Sequence, residues 1–292
     1  MPVKVRYYTD PACPRSWGHE PEVRKLMWEF GDELRFTWVM GGLARQFGPE
    51  YRDEEAGIEG AADLFADLTA DWLELSAETG MPIDPRLWRH GPIASTYPAC
   101  QAVKAAAEQG AERTYAYLRR LREGLMLARR KLDHAEALVA EAGPAGLDVE
   151  RFRIGLSSHA ITEAFAADLE EVRAIPDEAR EAGAAVRTEG RERIAFPSAL
   201  FVGEDGSRHG VWGRRPYEAY RDAAVGAGAR AVADPPSEAV EVVERFGRAA
   251  TREVEVVCAK PRPLVEAELW AAARAWRLRP LPVLTGTMWE LA

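Results

Sequence analysis

The chain has 292 residues, 47% hydrophobic and 29% charged, with a net charge of −9. That length supports one large domain or two around a substantial core, and the acidic balance argues against a nucleic-acid surface or an anionic membrane as partner. No apolar run approaches the roughly 18 residues of a membrane span, and Cys13, Cys100 and Cys258 are too few and too dispersed for a disulfide framework, so a reducing, cytoplasmic setting is expected.

The first predicted strand takes in Val3, Val5, Tyr7 and Tyr8 and starts so early that no signal peptide is expected. Asp10-Pro11 signals a turn, and Pro14 suits a first helical position. A helix is expected over 14–30, with Trp17, Val23, Leu26, Met27 and Phe30 on one face, ended by Gly31. Residues 34–40 read as a second strand stopped by Gly41-Gly42, which makes strand–helix–strand, the start of a parallel α/β unit.

The period then changes to three and four. Ile58, Ala61, Leu64, Phe65, Leu68, Trp72 and Leu75 mark a helix closed by Gly80 and Pro82. Ser95 or Thr96 caps another that runs to Gly110, and a third spans 112–130. Asp133-His134-Ala135-Glu136 reads as a capping box, and Asp148 and Ser158 start two more helices. This strand-free stretch, 46–189, reads as a helical subdomain inserted between the two halves of an α/β domain, 1–45 and 190–230.

The β pattern returns over 194–202, with a turn at 203–206, a partner strand over 207–213 and a helix over 216–225. A Gly-, Ala- and Pro-rich linker leads to a small module, 237–292. Three short helices and a hairpin there outline a winged helix. Thr251 is expected to cap its second helix. The module carries eight Lys/Arg against eight Asp/Glu, whereas a DNA reader should be basic, so docking or homodimerisation is its expected role.

The chemistry centres on Cys13. At a helix N-terminus it faces unpaired N–H groups and the positive end of the helix dipole, both of which favour thiolate. A lowering of about one to two from the free value of about 8.5 would leave most of it ionised near neutral pH. Three residues on, where a dithiol enzyme has a second cysteine, stands Ser16. It can donate a hydrogen bond to the thiolate but cannot close a disulfide, so the site is monothiol. His19 reads as helix surface, and Cys100 and Cys258 as core. His90, His134, His159 and His209 form no metal spacing with the cysteines, and no phosphate-cradling glycine loop is present.

The run Thr-Asp-Pro-x-Cys-Pro, Trp17 and Glu20-Pro21, Gly41-Gly42, the helix beginning Tyr97-Pro98-Ala99-Cys100, and Phe196-Pro197-Ser198 together resemble the DsbA-like branch of the thioredoxin superfamily, nearest its cytosolic FrnE-like and YjbH-like members, over residues 3–230. The resemblance implies a thioredoxin-like fold with Cys13 as nucleophile and Pro197 as the cis-proline facing it. Phe196 and Ser198 would frame a groove for an extended substrate segment. Pro14, Arg15 and Trp17 complete the expected substrate-binding set, Arg15 by favouring a thiolate and Trp17 by packing. The expected function is a monothiol disulfide oxidoreductase forming mixed disulfides with protein or small-molecule thiols. It would hold no tightly bound cofactor, and a glutathione-like or mycothiol-like thiol would resolve the intermediate. A redox-inactive adaptor using the same groove is the alternative. A glutathione-transferase-like isomerase is the third reading, although such relatives carry serine where this chain has Cys13.

Overall fold

A computed structural model describes residues 2–60 and 63–292, so Ala61 of the helix expected from Ile58 to Leu75 lies outside the described residues. β1 (Val3–Thr9) and β2 (Leu34–Met40) pair in parallel across α1 (Pro14–Gly18) and α2 (Glu20–Phe30). The single helix expected over 14–30 is two. His19, at φ −100° and ψ 2°, leaves helical geometry between them and is followed by Glu20-Pro21.

The inserted region supplies α3 (Leu64–Thr79), α4 (Leu87–His90), α5 (Tyr97–Ala107), α6 (Ala111–Met126), α7 (Ala135–Ala140), α8 (Val149–Leu156), α9 (His159–Arg173) and α10 (Asp177–Glu181). Asp148 and Ser158 cap as expected, their side chains accepting from the N–H groups of Arg151 and Ile161. The expected box at 133–136 does not form. His134 occupies the cap without a side-chain bond, and Asp133 instead accepts from the Ala94 N–H. The stretch is not strand-free either, because β3 (Ala185–Thr188) lies within it and pairs with β4 (Arg191–Ile194). Those strands are polar, which hid them from a hydrophobic-period reading.

β5 (Ser198–Val202) and β6 (Arg208–Val211) complete a four-stranded sheet of order β2-β1-β5-β6, with β5 antiparallel to β1. α11 (Tyr217–Gly226) follows. Parallel β1–β2 with an antiparallel β5–β6 hairpin is a thioredoxin-like sheet. The inserted helices share one hydrophobic core with it, Trp17, Val23, Tyr7 and Phe201 in the same cluster as Trp72, Trp88, Leu118 and Phe152. Gly41 shows how tight this packing is: a Cβ there would lie 1.8 Å from Cζ of Phe196. Gly41→Ala should therefore displace the Phe196 ring and destabilise by about 1–3 kcal/mol, the usual cost of overpacking, read as a lower urea midpoint. An unchanged midpoint would show that the ring has room to move.

The linker is strapped along α2: the Val232 N–H donates to Glu29 O at 2.7 Å and Trp28 Nε1 to Asp234 O at 2.8 Å. The last module comprises α12 (Ala239–Phe246), β7 (Arg248–Ala250), α13 (Thr251–Cys258), α14 (Arg262–Arg274), β8 (Leu278–Val283) and β9 (Gly286–Leu291). This is a winged-helix-like order with a β7-β9-β8 sheet and its own core around Val243, Val254, Leu269 and Trp289. Thr251 is not the cap. Glu253 accepts from the Ala250 N–H at 2.7 Å, while the Thr251 hydroxyl accepts from Trp289 Nε1 at 2.9 Å.

A buried ionic network joins module and sheet domain. Arg119 makes a fork of 2.7 and 2.9 Å with Glu253, and it reaches Glu20 at 3.3 Å and Glu123 at 2.8 Å. Arg122 bonds Glu20 and Thr9, and Arg24 lies 3.2 Å from Glu253. Among the described residues no helix is long and apolar enough to cross a membrane.

Candidate functional site

The turn after β1 is built around Asp10. Its carboxylate, fully buried, accepts from the N–H of Ala12 (2.8 Å) and of Leu43 (2.7 Å), the hydroxyl of Thr96 (2.9 Å) and Cys100 Sγ (3.2 Å). One side chain thus pins the cysteine turn, the loop after β2 and the start of α5. Burial raises its pKa despite these donors. Cys100 serves as a donor to Asp10, and its thiol is pushed well up by burial and by that carboxylate. All three cysteines are free and buried.

Cys13 occupies the N-cap of α1, where its Sγ accepts from the Ser16 N–H at 3.4 Å. The local geometry is the expected one, yet the thiol is not poised. Cys13 is 1% exposed, and its pKa is pushed up to about 11, by burial first and by the Glu55 carboxylate second. Hydrogen bonding from Ser16 and the charge of Arg15 pull it back too weakly to compensate. The direction is opposite to the expected lowering, because burial and Glu55 outweigh Ser16 and Arg15.

Phe196 and Cys13 fall in one apolar cluster with Leu43, Ala195 and Leu200, and the Phe196–Pro197 bond is cis. Most of the other expected contacts are sealed. Pro14 and Pro197 are buried and Phe196 is 0% exposed. Ser198 is also 0% exposed, donating to Ala195 O and accepting from the Gly213 N–H, so it braces the turn and cannot line a groove. Trp17 is core, 0% exposed: it donates to Pro82 O and packs under Arg119. The Ser16 N–H donates to Sγ at 3.4 Å, and the Ser16 hydroxyl, although it meets no partner in good hydrogen-bond geometry, also acts to lower the pKa of the thiol. Arg15 donates to Asp71 at 3.0 Å and to Glu55 O at 2.7 Å, and its charge favours the Cys13 thiolate.

His19 is not helix surface. It is 1% exposed, bonded through Nδ1 to the Tyr7 hydroxyl and packed on Tyr220, and burial pushes its pKa down to about 3, so it stays neutral.

Two residues that the sequence did not single out close the site. Glu55 lies in a turn between Asp53 and Ile58, whose backbones bond reciprocally. Its carboxylate accepts from Arg193 at 2.9 Å and stands 3.5 Å from the Phe196 N–H, the far limit of a hydrogen bond. The Arg193 guanidinium in turn lies over the Phe196 ring at 4.3 Å. The sequence signal was slight, an acidic run Asp53-Glu54-Glu55 facing an Arg-rich strand 138 residues away. Among the described residues no group of three or more His, Cys, Asp and Glu could hold a metal.

A family model described as Thioredoxin matches residues 7–175. A ClpXP adapter protein SpxH from Halalkalibacterium halodurans is 26% identical over 99% of this chain and 89% of its own length, and the one from Bacillus licheniformis is 24% identical over 99% and 88%. Among solved structures, a protein described as a disulfide isomerase from Nitrosomonas europaea superposes with a TM-score of 0.59 at 20% identity, covering 77% of this chain and 97% of that one. The cytosolic disulfide reductase DsbM of Pseudomonas aeruginosa, also solved with GSH, gives 0.52 at 19% identity over 76% and 92%. These structural likenesses concern the fold.

Proposed function

The chain belongs to the thioredoxin family, and from that premise we propose that it is of the DsbA-like branch and works as a protein-binding adapter for ClpXP, the role its relatives are named for. The observation that carries this reading is the state of Cys13: a thiol 1% exposed, raised to about 11, and without a second cysteine in its motif. A thioredoxin scaffold with its nucleophile covered loses exchange chemistry and keeps its outer surface for protein contacts. Its protein partners would act within the cytoplasm, with the sheet domain and the C-terminal module as separate contact regions and the module also serving homodimerisation.

The monothiol reading keeps one specific support, the Ser16 N–H directed at Sγ. Under it, Cys13 would attack a disulfide and a glutathione-like thiol would release the product. The readings separate in two assays on wild type and Cys13→Ser. Binding of purified ClpXP, followed by biolayer interferometry, should be equal for the two. Glutathione-coupled reduction of hydroxyethyl disulfide should stay at background for both. Reduction by the wild type that Cys13→Ser abolishes would establish the oxidoreductase and remove the adapter reading's main support.

A further inference from the structure

Glu55 is placed as a ligand would be. Two of the three Arg193 nitrogens are committed to the protein frame, Nε to the Thr188 hydroxyl (2.9 Å) and one terminal nitrogen to Ile194 O (3.0 Å). Only the remaining nitrogen faces carboxylates, Glu55 at 2.9 Å and Asp53 at 3.6 Å. Asp53 is engaged as a turn former, accepting from the Tyr51 hydroxyl and from the N–H groups of Glu55 and Ala56. Glu55 therefore alone supplies the close anionic partner.

Around Arg193 the surface is prepared for more negative charge. A cavity of about 530 Å³ that has Arg193 in its lining, but not Glu55, is bordered by Arg45, Arg52, Arg173 and Arg191 against Glu50, Glu189 and Glu192. Five arginines to three glutamates stand out on a chain whose net charge is −9.

We propose that Arg193, with the neighbouring Phe196 amide, is a carboxylate-binding site beside Cys13, filled in this structure by Glu55 of the same chain and taken over by an acidic side chain of a bound protein segment. The incoming carboxylate replaces Glu55 like for like, so the buried guanidinium keeps a charged partner throughout the exchange. The turn backbone can stay where it is, tied to the β3–β4 hairpin through Glu54 N–H to Arg187 O and Glu189 N–H to Arg52 O, both 2.9 Å. Only the Glu55 side chain has to swing out. The identity of the occupant as a protein segment rests on the adapter reading, whereas the site itself does not.

The test uses Cys13 as a reporter, alkylated by iodoacetate, which carries a carboxylate, and by neutral iodoacetamide, with each cysteine read separately by mass spectrometry. In Glu55→Ala the iodoacetate-to-iodoacetamide rate ratio at Cys13 should rise about tenfold over wild type, the gain of one charge-assisted contact. Glu55→Gln, which keeps the shape of the turn, should move the ratio the same way. Both rates rising with an unchanged ratio would mean that Glu55 is only a cover, and would overturn the site while leaving ClpXP binding, and so the adapter reading, untouched. In Glu55→Ala the peptide acetyl-Ala-Glu-Ala-amide should slow iodoacetate labelling and its glutamine twin should not. Protection by S-methylglutathione alone, or by neither, would overturn the assignment to a protein segment.

Discussion

Glu253→Ala is expected to cost about 3–5 kcal/mol, the range for removing one partner from a buried ion pair. Glu253 is 0% exposed and holds the Arg119 fork at 2.7 and 2.9 Å, with Arg24 at 3.2 Å. Truncation leaves two guanidinium groups, 6% and 2% exposed, with less negative charge than they need. It also uncaps α13, whose Ala250 N–H loses its acceptor. Because Arg24 belongs to the sheet domain, Arg119 to the inserted helices and Glu253 to the C-terminal module, the loss falls on their junction. Urea unfolding should change from one transition to two, the module melting first. Glu253→Gln, which keeps the cap acceptor and the volume, should lose less. A single transition within about 0.5 kcal/mol of wild type would show that the two bodies stand without the network.

The second large effect is kinetic. With its thiol raised to about 11, Cys13 is ionised in only about one molecule in ten thousand at pH 7, against about three in a hundred for a free thiol. Iodoacetamide labelling at pH 7 should therefore be slower than for a free cysteine by at least about two orders of magnitude, since burial obstructs access as well. The rate should keep climbing past about pH 10, where a free thiol of pKa about 8.5 has levelled off. A midpoint at or below 8.5 would show that the helix terminus outweighs desolvation, and would return the site to nucleophilic chemistry.

What the sequence made legible was local or periodic. The strand–turn–Cys-Pro run, the caps at Asp148 and Ser158 and the C-terminal hairpin are each specified within a few residues, and the structure has them there. Burial was the illegible quantity. Cys13 caps the start of α1 and His19 stands between α1 and α2, and nothing nearby says that a turn around residue 55, or Tyr220 from the far end of the domain, will lie against them. The Glu55–Arg193 pair spans 138 residues, beyond any periodicity. The capping box at 133–136 failed for the same reason: Asp133 found a partner 39 residues away at Ala94.

The outer edge of the C-terminal sheet bears on how the chain behaves in a crowd. β8 lies at the margin, paired only with β9, and carries Pro280 and Pro282 two residues apart. Residues two apart direct their main-chain nitrogens to the same side, and a proline nitrogen has no hydrogen to give. The margin thus lacks consecutive donors where an incoming strand would need them. Edge-to-edge growth into stacked sheets is blocked at its first step, so a second copy meeting this margin must be recognised by side chains, and the association stays finite.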